Sequence, residues 1–513
     1  MRSKHHCAAH TARHSTLFLP VAANISLGGS FSDCFRPLSF EMLARGRGLP
    51  PCAVLATGRI MRNASSLRFV SLPRDVAPLH PPPPSKVVSA TRTGLTAKLW
   101  QMRYDMQKYK NNATELQTKT VSKAPNESFL QIELLVESDA SVRDQYLNFR
   151  GGLRFGKLLE DIDAFAGNIA FMHCNDGDPT TKVPVLVTAC LDRLDINFPV
   201  TLNLRNDYLL EGRVNWTSKS SVQIDISLFP KTESGRGDQN QLTASMVFVH
   251  VQNSKAAAVN QVTPGNAAEQ RLFAAGEAAN ARRKLERVTS LKNKAPTSDE
   301  SEKLHLAMIS GFGESAIKLS ATRMEAVELM QPQERNRAGK IFGGFLMHEA
   351  YELAYATAAS YAAMSNGAGG VVGAPTVMAL DDVTFTKPVS IGDVVIFSAK
   401  VSYTGSNEVL LQHQGQSTDY PASISAVFQV VVTTHILDLK TGNRSLANEF
   451  QFTFMSRDAE VPGFPVQPIP VRPIRPTSYS EGMIWLDGRR RMIEALEKAR
   501  ENKGFAAQAL FGL

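Results

Sequence analysis

The stretch Asn148-Phe-Arg-Gly-Gly-Leu-Arg-Phe-Gly156 returns 188 residues later as Asn336-Arg-Ala-Gly-Lys-Ile-Phe-Gly-Gly344. At the same offset Leu346 meets Leu158, Tyr351 meets Asp163 and Ala354 meets Ala166. The register then drifts by one residue in either direction. Leu380-Asp381 falls on Leu191-Asp192, Pro388-Val389 on Pro199-Val200, and Val401-Ser-Tyr403 on Val214-Asn-Trp216. Chance supplies one such match, but not a register held this far. The chain reads as two copies of one fold.

Each copy has the same coarse order. A helical segment comes first, 158–170 and then 345–364. In the first, Leu158, Leu159, Ile162, Phe165, Ala166 and Ile169 recur at helical spacing. In the second, Leu346, Ala350, Leu353, Ala354 and Thr357 give a face of small residues that lets a helix approach a sheet closely. Strand-like runs follow at 185–198, 209–216, 222–228 and 242–251, then at 376–385, 394–403, 409–414 and 425–437. Turn signals such as Ser390-Ile-Gly-Asp393 and Thr404-Gly-Ser-Asn407 separate them. A helix followed by an antiparallel meander is an α+β unit, a sheet wrapped on a helix.

The remaining segments divide as follows: a leader and spacer (1–95), copy one (128–252), an insert (253–313), copy two (314–457) and a Pro-rich strap with a final helix (458–513). The net charge of +8 belongs to the leader. Residues 1–95 hold twelve Lys or Arg against three acids, so the rest of the chain carries about −1 and gives no sign of a nucleic-acid partner. The leader is Arg- and Ser-rich, acid-poor and ends in Pro81-Pro82-Pro83-Pro84, which reads as an organellar transit segment. An untargeted extension or a misplaced start is the alternative. Cys174 and Cys190 are the cysteines outside the leader, and no C-x-x-C occurs, so neither a disulfide framework nor a zinc site is expected. No apolar run reaches the ~18 residues of a membrane span. The insert is expected to be mainly helical. Its cluster Arg282-Arg-Lys-Leu-Glu-Arg287 reads first as a solvated helix face and second as a phosphate contact.

Gln331-Pro-Gln-Glu-Arg-Asn336, Ile341-Phe-Gly-Gly-Phe-Leu-Met347, Ala350-Tyr-Glu-Leu-Ala354 and Ser480-Glu-Gly-Met-Ile-Trp-Leu-Asp-Gly-Arg489 resemble the double hotdog acyl-CoA thioesterases of mitochondrial type. The resemblance runs from about residue 128 to 490 and leaves out the leader. It implies two hotdog domains paired so that their sheets join, and hydrolysis of acyl-CoA to acid and CoA without a cofactor or metal. It also implies a mitochondrial location, with another organelle or the cytosol as the alternative, and a homo-oligomer. The active sites would lie at the seam, with an Asn from one copy and a carboxylate from the other copy's helix.

Thioester hydrolysis needs an activated water and support for an oxyanion. Gly343-Gly344, just before a helix, can present N–H donors, and so can Gly156 in copy one. The acid position holds Asp163 in copy one but Tyr351 in copy two, with Glu352 next to it. Asn336 with Asp163 therefore makes a complete site, and Asn148 has only Glu352 or no acid. Blander readings stand beside these. An Asn before Gly can be a turn, and Asp163 beside Glu160 and Asp161 can be a solvated face. His173, His348 and His413 each read as lone structural residues. The run 367–373 departs from dinucleotide-binding spacing and reads as a loop. Neither a Gly-x-Ser-x-Gly elbow nor His-Glu-x-x-His occurs. A non-catalytic acyl-CoA-binding protein and a hotdog hydratase remain as alternatives.

Overall fold

The structure, a computed structural model, describes residues 92–501 apart from 111–112, 118, 198–201, 254, 310–312, 314, 337–338, 367–372, 416–419 and 459–466. The leader up to residue 91 and nearly all of the 367–373 run lie outside the described residues.

A helix α1 (Gly94–Gln107) precedes the first copy. That copy comprises β1 (Leu130–Leu134), α2 (Phe155–Cys174), β2 (Val185–Ile196), β3 (Tyr208–Thr217), β4 (Ser221–Thr232) and β5 (Leu242–Gln252). The helices α3 (Ala267–Thr289) and α4 (Ser298–Ile309) fill the insert. The second copy repeats the pattern with β6 (Met324–Leu329), α5 (Gly343–Asn366), β7 (Ala374–Phe385), β8 (Val394–Thr404), α6 (Gly405–His413), β9 (Val427–Leu437) and β10 (Arg444–Arg457). A helix α7 (Tyr479–Glu501) ends the described chain.

All ten named strands lie in one sheet, in the order β6-β8-β9-β10-β7-β2-β5-β4-β3-β1. The two halves are mirror lists, joined through the antiparallel pair β7 and β2. Their register exchanges repeat-related positions. Leu191 pairs with Val383 and Leu194 with Leu380, and each residue of one pair matches one of the other at an offset of 189. That is the signature of an isologous two-fold contact, here made within one chain. The helices α2 and α5 pack on each other across the same pseudo-axis. Nearly every side chain of α2 is buried, including Leu158, Leu159, Ile162, Phe165 and Ile169 at 0% exposure. A helix swallowed this completely rests on burial rather than on propensity, at about 1.5–3 kcal/mol per large apolar side chain.

Several expectations need correction. The run 409–414, read as a strand, lies in α6 as far as His413, with Gln414 its C-cap, and Thr404, read within a turn, is its N-cap residue. Leu410, Leu411 and Gln412 are better helix formers than strand formers, and only Val409 is β-branched. In copy one the corresponding strands meet in a tight turn at Ser218–Ser221, closed by a hydrogen bond from Ser218 N to Ser221 O (2.8 Å). Copy two inserts α6 there, so β9 (Val427–Leu437), read as 425–437, is the third strand of its meander. The fourth, β10, is absent from the sequence reading, although Phe450, Phe452 and Phe454 alternate with polar residues and are all fully buried. The edge strands β1 and β6 were likewise unforeseen. Nor is the Arg cluster of α3 simply solvated: Arg282 and Arg283 reach Asp192 on β2 at 2.9 and 3.1 Å. The final helix begins eight residues earlier than Asp487 and is pinned by buried Trp485, whose ring meets Tyr403 at 4.8 Å.

Candidate active site

The two Asn residues shape the same loop twice. Asn148 N donates to Gly152 O (2.9 Å), and Asn336 N to Lys340 O (2.6 Å). Asn148 Oδ1 accepts from Gly152 N (2.9 Å) and Asn336 Oδ1 from Lys340 N (3.1 Å). Each loop turns on a glycine of positive φ, Gly151 (78°) and Gly339 (74°), a conformation that costs other residues about 1 kcal/mol or more. The turn reading of these Asn residues is therefore correct as local structure. A turn role does not exclude a second role, because each loop delivers its chain into the start of a central helix.

Asp163 sits on α2 at 3% exposure, so the solvated-face reading fails for it, as it does for Glu160 (1%) and Asp161 (0%). Asp163 Oδ2 accepts from Gly344 N (2.7 Å), at the first turn of α5 in the other copy. Its Oδ1 accepts from Thr188 Oγ1 (2.9 Å) on β2. Burial pushes its carboxyl up to about 6, and the Thr188 hydroxyl, the Gly344 N–H and the Arg103 charge only partly oppose this. Gly344 must be glycine for a packing reason: a Cβ there would stand 2.8 Å from Glu160 Cα. The two central helices thus touch backbone to backbone where the carboxylate crosses the seam.

A cavity of about 270 Å³ opens beside Asp163 and brings in Asn336 and Gly343. Asp163, Gly167 and Phe171 recur along α2 at a spacing of four and form one wall, while Val183–Thr188 at the start of β2 form another. The third wall is α1, through Trp100, Arg103 and Gln107. Sequence reasoning missed Thr188 and all three α1 residues. Their spacing of three and four on one helix face was visible, but α1 lies upstream of both repeats and nothing in the repeat points to it.

The other seam differs. Tyr351, at the repeat position of Asp163, is packed among Phe155 (ring centroids 5.0 Å), Tyr355 (6.2 Å), Phe452 (6.0 Å) and Phe454 (6.5 Å). Burial, with Tyr355 and Glu352 nearby, raises its phenol. Glu352 is partly exposed and held by Arg154 Nε (2.9 Å) and His348 Nε2 (3.2 Å). Burial alone would raise its carboxyl, but His348 and Arg154 bring it below its usual range, which makes it a weaker base. The Asn148 carboxamide is held inside its own loop, with Nδ2 donating to Leu153 O (3.0 Å). A Cβ on Gly156 would strike the His348 ring at 2.2 Å. His348 is therefore not a lone histidine. Its Nδ1 lies 2.6 Å from Glu160 Oε1, and the two residues occupy equivalent positions of the repeat.

The joined sheets and the packed central helices define a paired hotdog, with Asp163 buried against the start of the opposite helix at the seam. Residues 338–415 match the family model of the thioesterase superfamily. The chain is 30% identical over 380 residues to human mitochondrial acyl-coenzyme A thioesterase 9, covering 71% of this chain and 76% of that protein. It is 31% identical over 354 residues to the chloroplastic acyl-coenzyme A thioesterase 2 of Humulus lupulus, covering 66% and 75%. Among solved structures, an acyl-CoA hydrolase from Staphylococcus aureus, in complex with butyryl coenzyme A, coenzyme A and coenzyme A disulfide, is 24% identical with a TM-score of 0.29. The match covers 36% of this chain and 93% of that one. This chain belongs to the acyl-coenzyme A thioesterase family.

Proposed function

We propose that the chain hydrolyses acyl-CoA to a free carboxylic acid and CoA at the Asp163/Asn336 seam site. The observation that carries this reading is a buried carboxylate from one copy bonded to the helix N-terminus of the other, beside a cavity. Asp163 takes a proton from water as the water oxygen attacks the thioester carbonyl carbon. The oxyanion of the tetrahedral intermediate is met by Gly343 N–H and Asn336 Nδ2, with the α5 dipole adding to both. The C–S bond then breaks, and the CoA thiolate takes the proton back from Asp163. In this reading Gly344 N–H holds the base, and Thr188 fixes the other carboxylate oxygen.

The hydratase reading is not favoured: His348 lies between two carboxylates and does not line the cavity. CoA release followed with a thiol reagent separates hydrolysis from mere binding. The base must be ionised to act, so kcat/KM is expected to fall as pH drops through about 6. A profile flat across that range would remove Asp163 as the base.

Mitochondrial delivery by residues 1–95 and a homo-oligomer belong to the same reading. The leader's composition and the mitochondrial relatives support the first. Exposed Val327 (62%) and Leu329 (53%) on edge strand β6 are apolar side chains that a subunit contact would cover. A fluorescent fusion to the leader, and light scattering against the chain's 56.0 kDa, check the two.

A further inference from the structure

The segment from Arg92 to Gln107, which overlaps the end of the leader, belongs to neither copy, yet it grips both. Thr93 Oγ1 and Thr96 Oγ1 donate to buried Asp161 Oδ1 on α2, the second at 2.7 Å, and Tyr146 OH donates to its other oxygen at 2.5 Å. These bonds fix α1 to copy one. Arg92, only 8% exposed, reaches the other way. Its Nη2 donates to Gln333 O (2.6 Å) and Arg335 O (3.4 Å), and lies 3.6 Å from Glu334 Oε2. These groups form the turn that runs directly into Asn336. The guanidinium stacks on Trp100 at 3.9 Å, and Trp100 meets Phe342 edge-on at 5.6 Å. Phe342 precedes Gly343 and Gly344. One arginine thus touches the supports of the amide loop and of the helix start together.

The equivalent stretch of copy one is tied differently. There Arg143 Nε donates to Val136 O (2.9 Å), and its Nη2 to Glu137 O, all within the same copy.

We infer that Arg92 is a positioning residue, and that the strap from Arg92 to Gln107 is a third component of the Asp163/Asn336 site. Arg92 acts through the 331–336 turn on Asn336 and through Trp100 and Phe342 on the Gly343 donor. Its Nη2 holds the two carbonyl oxygens while the planar guanidinium lies on the Trp100 ring, a combination that a compact ammonium copies only in charge. Arg92 lies within the last residues of the 1–95 leader segment, so leader removal that spares it should leave a faster enzyme than removal of all 95 residues. The inference rests on the seam-site reading above.

The test uses the full chain carrying Arg92→Met, Arg92→Lys or Asp163→Asn. Displacing reacting groups by about 1 Å can cost ~10²-fold, so Arg92→Met should lower kcat by about ten- to a hundredfold with a smaller change in KM. Arg92→Lys should recover only part of the loss. Added guanidinium ion, at concentrations well below denaturing, should restore turnover to Arg92→Met and leave wild type unchanged. Unaltered kcat in Arg92→Met overturns the inference. So does a loss that follows a drop in Tm and that guanidinium leaves untouched. If Asp163→Asn retains full turnover, the seam-site reading fails, and the role of Arg92 fails with it. If Asp163→Asn is inactive and Arg92→Met is normal, only the strap is overturned.

Discussion

Asp163→Ala is expected to lower kcat/KM for acyl-CoA by about 10²–10⁴-fold, the usual contribution of a general base. The reason is the arrangement at its two oxygens, one fixed by Thr188 and the other by Gly344 N–H of the opposite copy. Among the described residues no other carboxylate lines that cavity. Glu352→Ala should leave turnover close to wild type, because Glu352 is partly exposed and bound to Arg154 and His348. Steady-state kinetics of both variants decide the matter. Equal losses would sink the asymmetry between the seams, and full activity in Asp163→Ala would sink the mechanism.

The second large effect is expected at Gly344. In Gly344→Ala the new methyl would lie 2.8 Å from Glu160 Cα and 2.7 Å from Phe342 Cε1. Glu160 Cα is backbone of a fully buried helix and yields little. The start of α5 must therefore move, and with it the N–H that holds Asp163. A displacement of this order should cost ~10²-fold in kcat. A crystal structure or kinetics showing an unmoved helix start and normal turnover would count against the role given to this contact. Serine should be no better than alanine, since both carry the same Cβ.

Much of this site was legible before any coordinates. The recurrence of Asn148 and Asn336 ahead of glycine-led helices, and the exchange of Asp163 for Tyr351, came from aligning the chain with itself. Other parts were not. Asp163 was open to a solvated-face reading because Glu160, Asp161 and Asp163 stand close together in sequence. Only the packing of α2 against α5, α1 and the sheet shows all three buried, each with its own partner. His348 read as lone because its partner Glu160 is 188 residues away. The strand assigned to 409–414 failed for a local reason, since its Leu-Leu-Gln run is a better helix former than strand former. Nothing in the repeat pointed to Arg92, Trp100 and Arg103, because the segment that holds them occurs once.

What the sequence by itself determined is the duplication, and with it the α+β unit and the standing of Tyr351 at the repeat position of Asp163. These follow from local patterns and from register, which self-comparison reads directly. What only the tertiary structure decided is which groups meet across the pseudo-axis. There Asp163 finds Gly344 N–H, Glu160 finds His348, and Arg92 finds the turn before Asn336. Such contacts depend on helix approach and burial over separations of 181 to 241 residues. A sequence pattern of short period does not encode them; the joined sheet and the touching helices do.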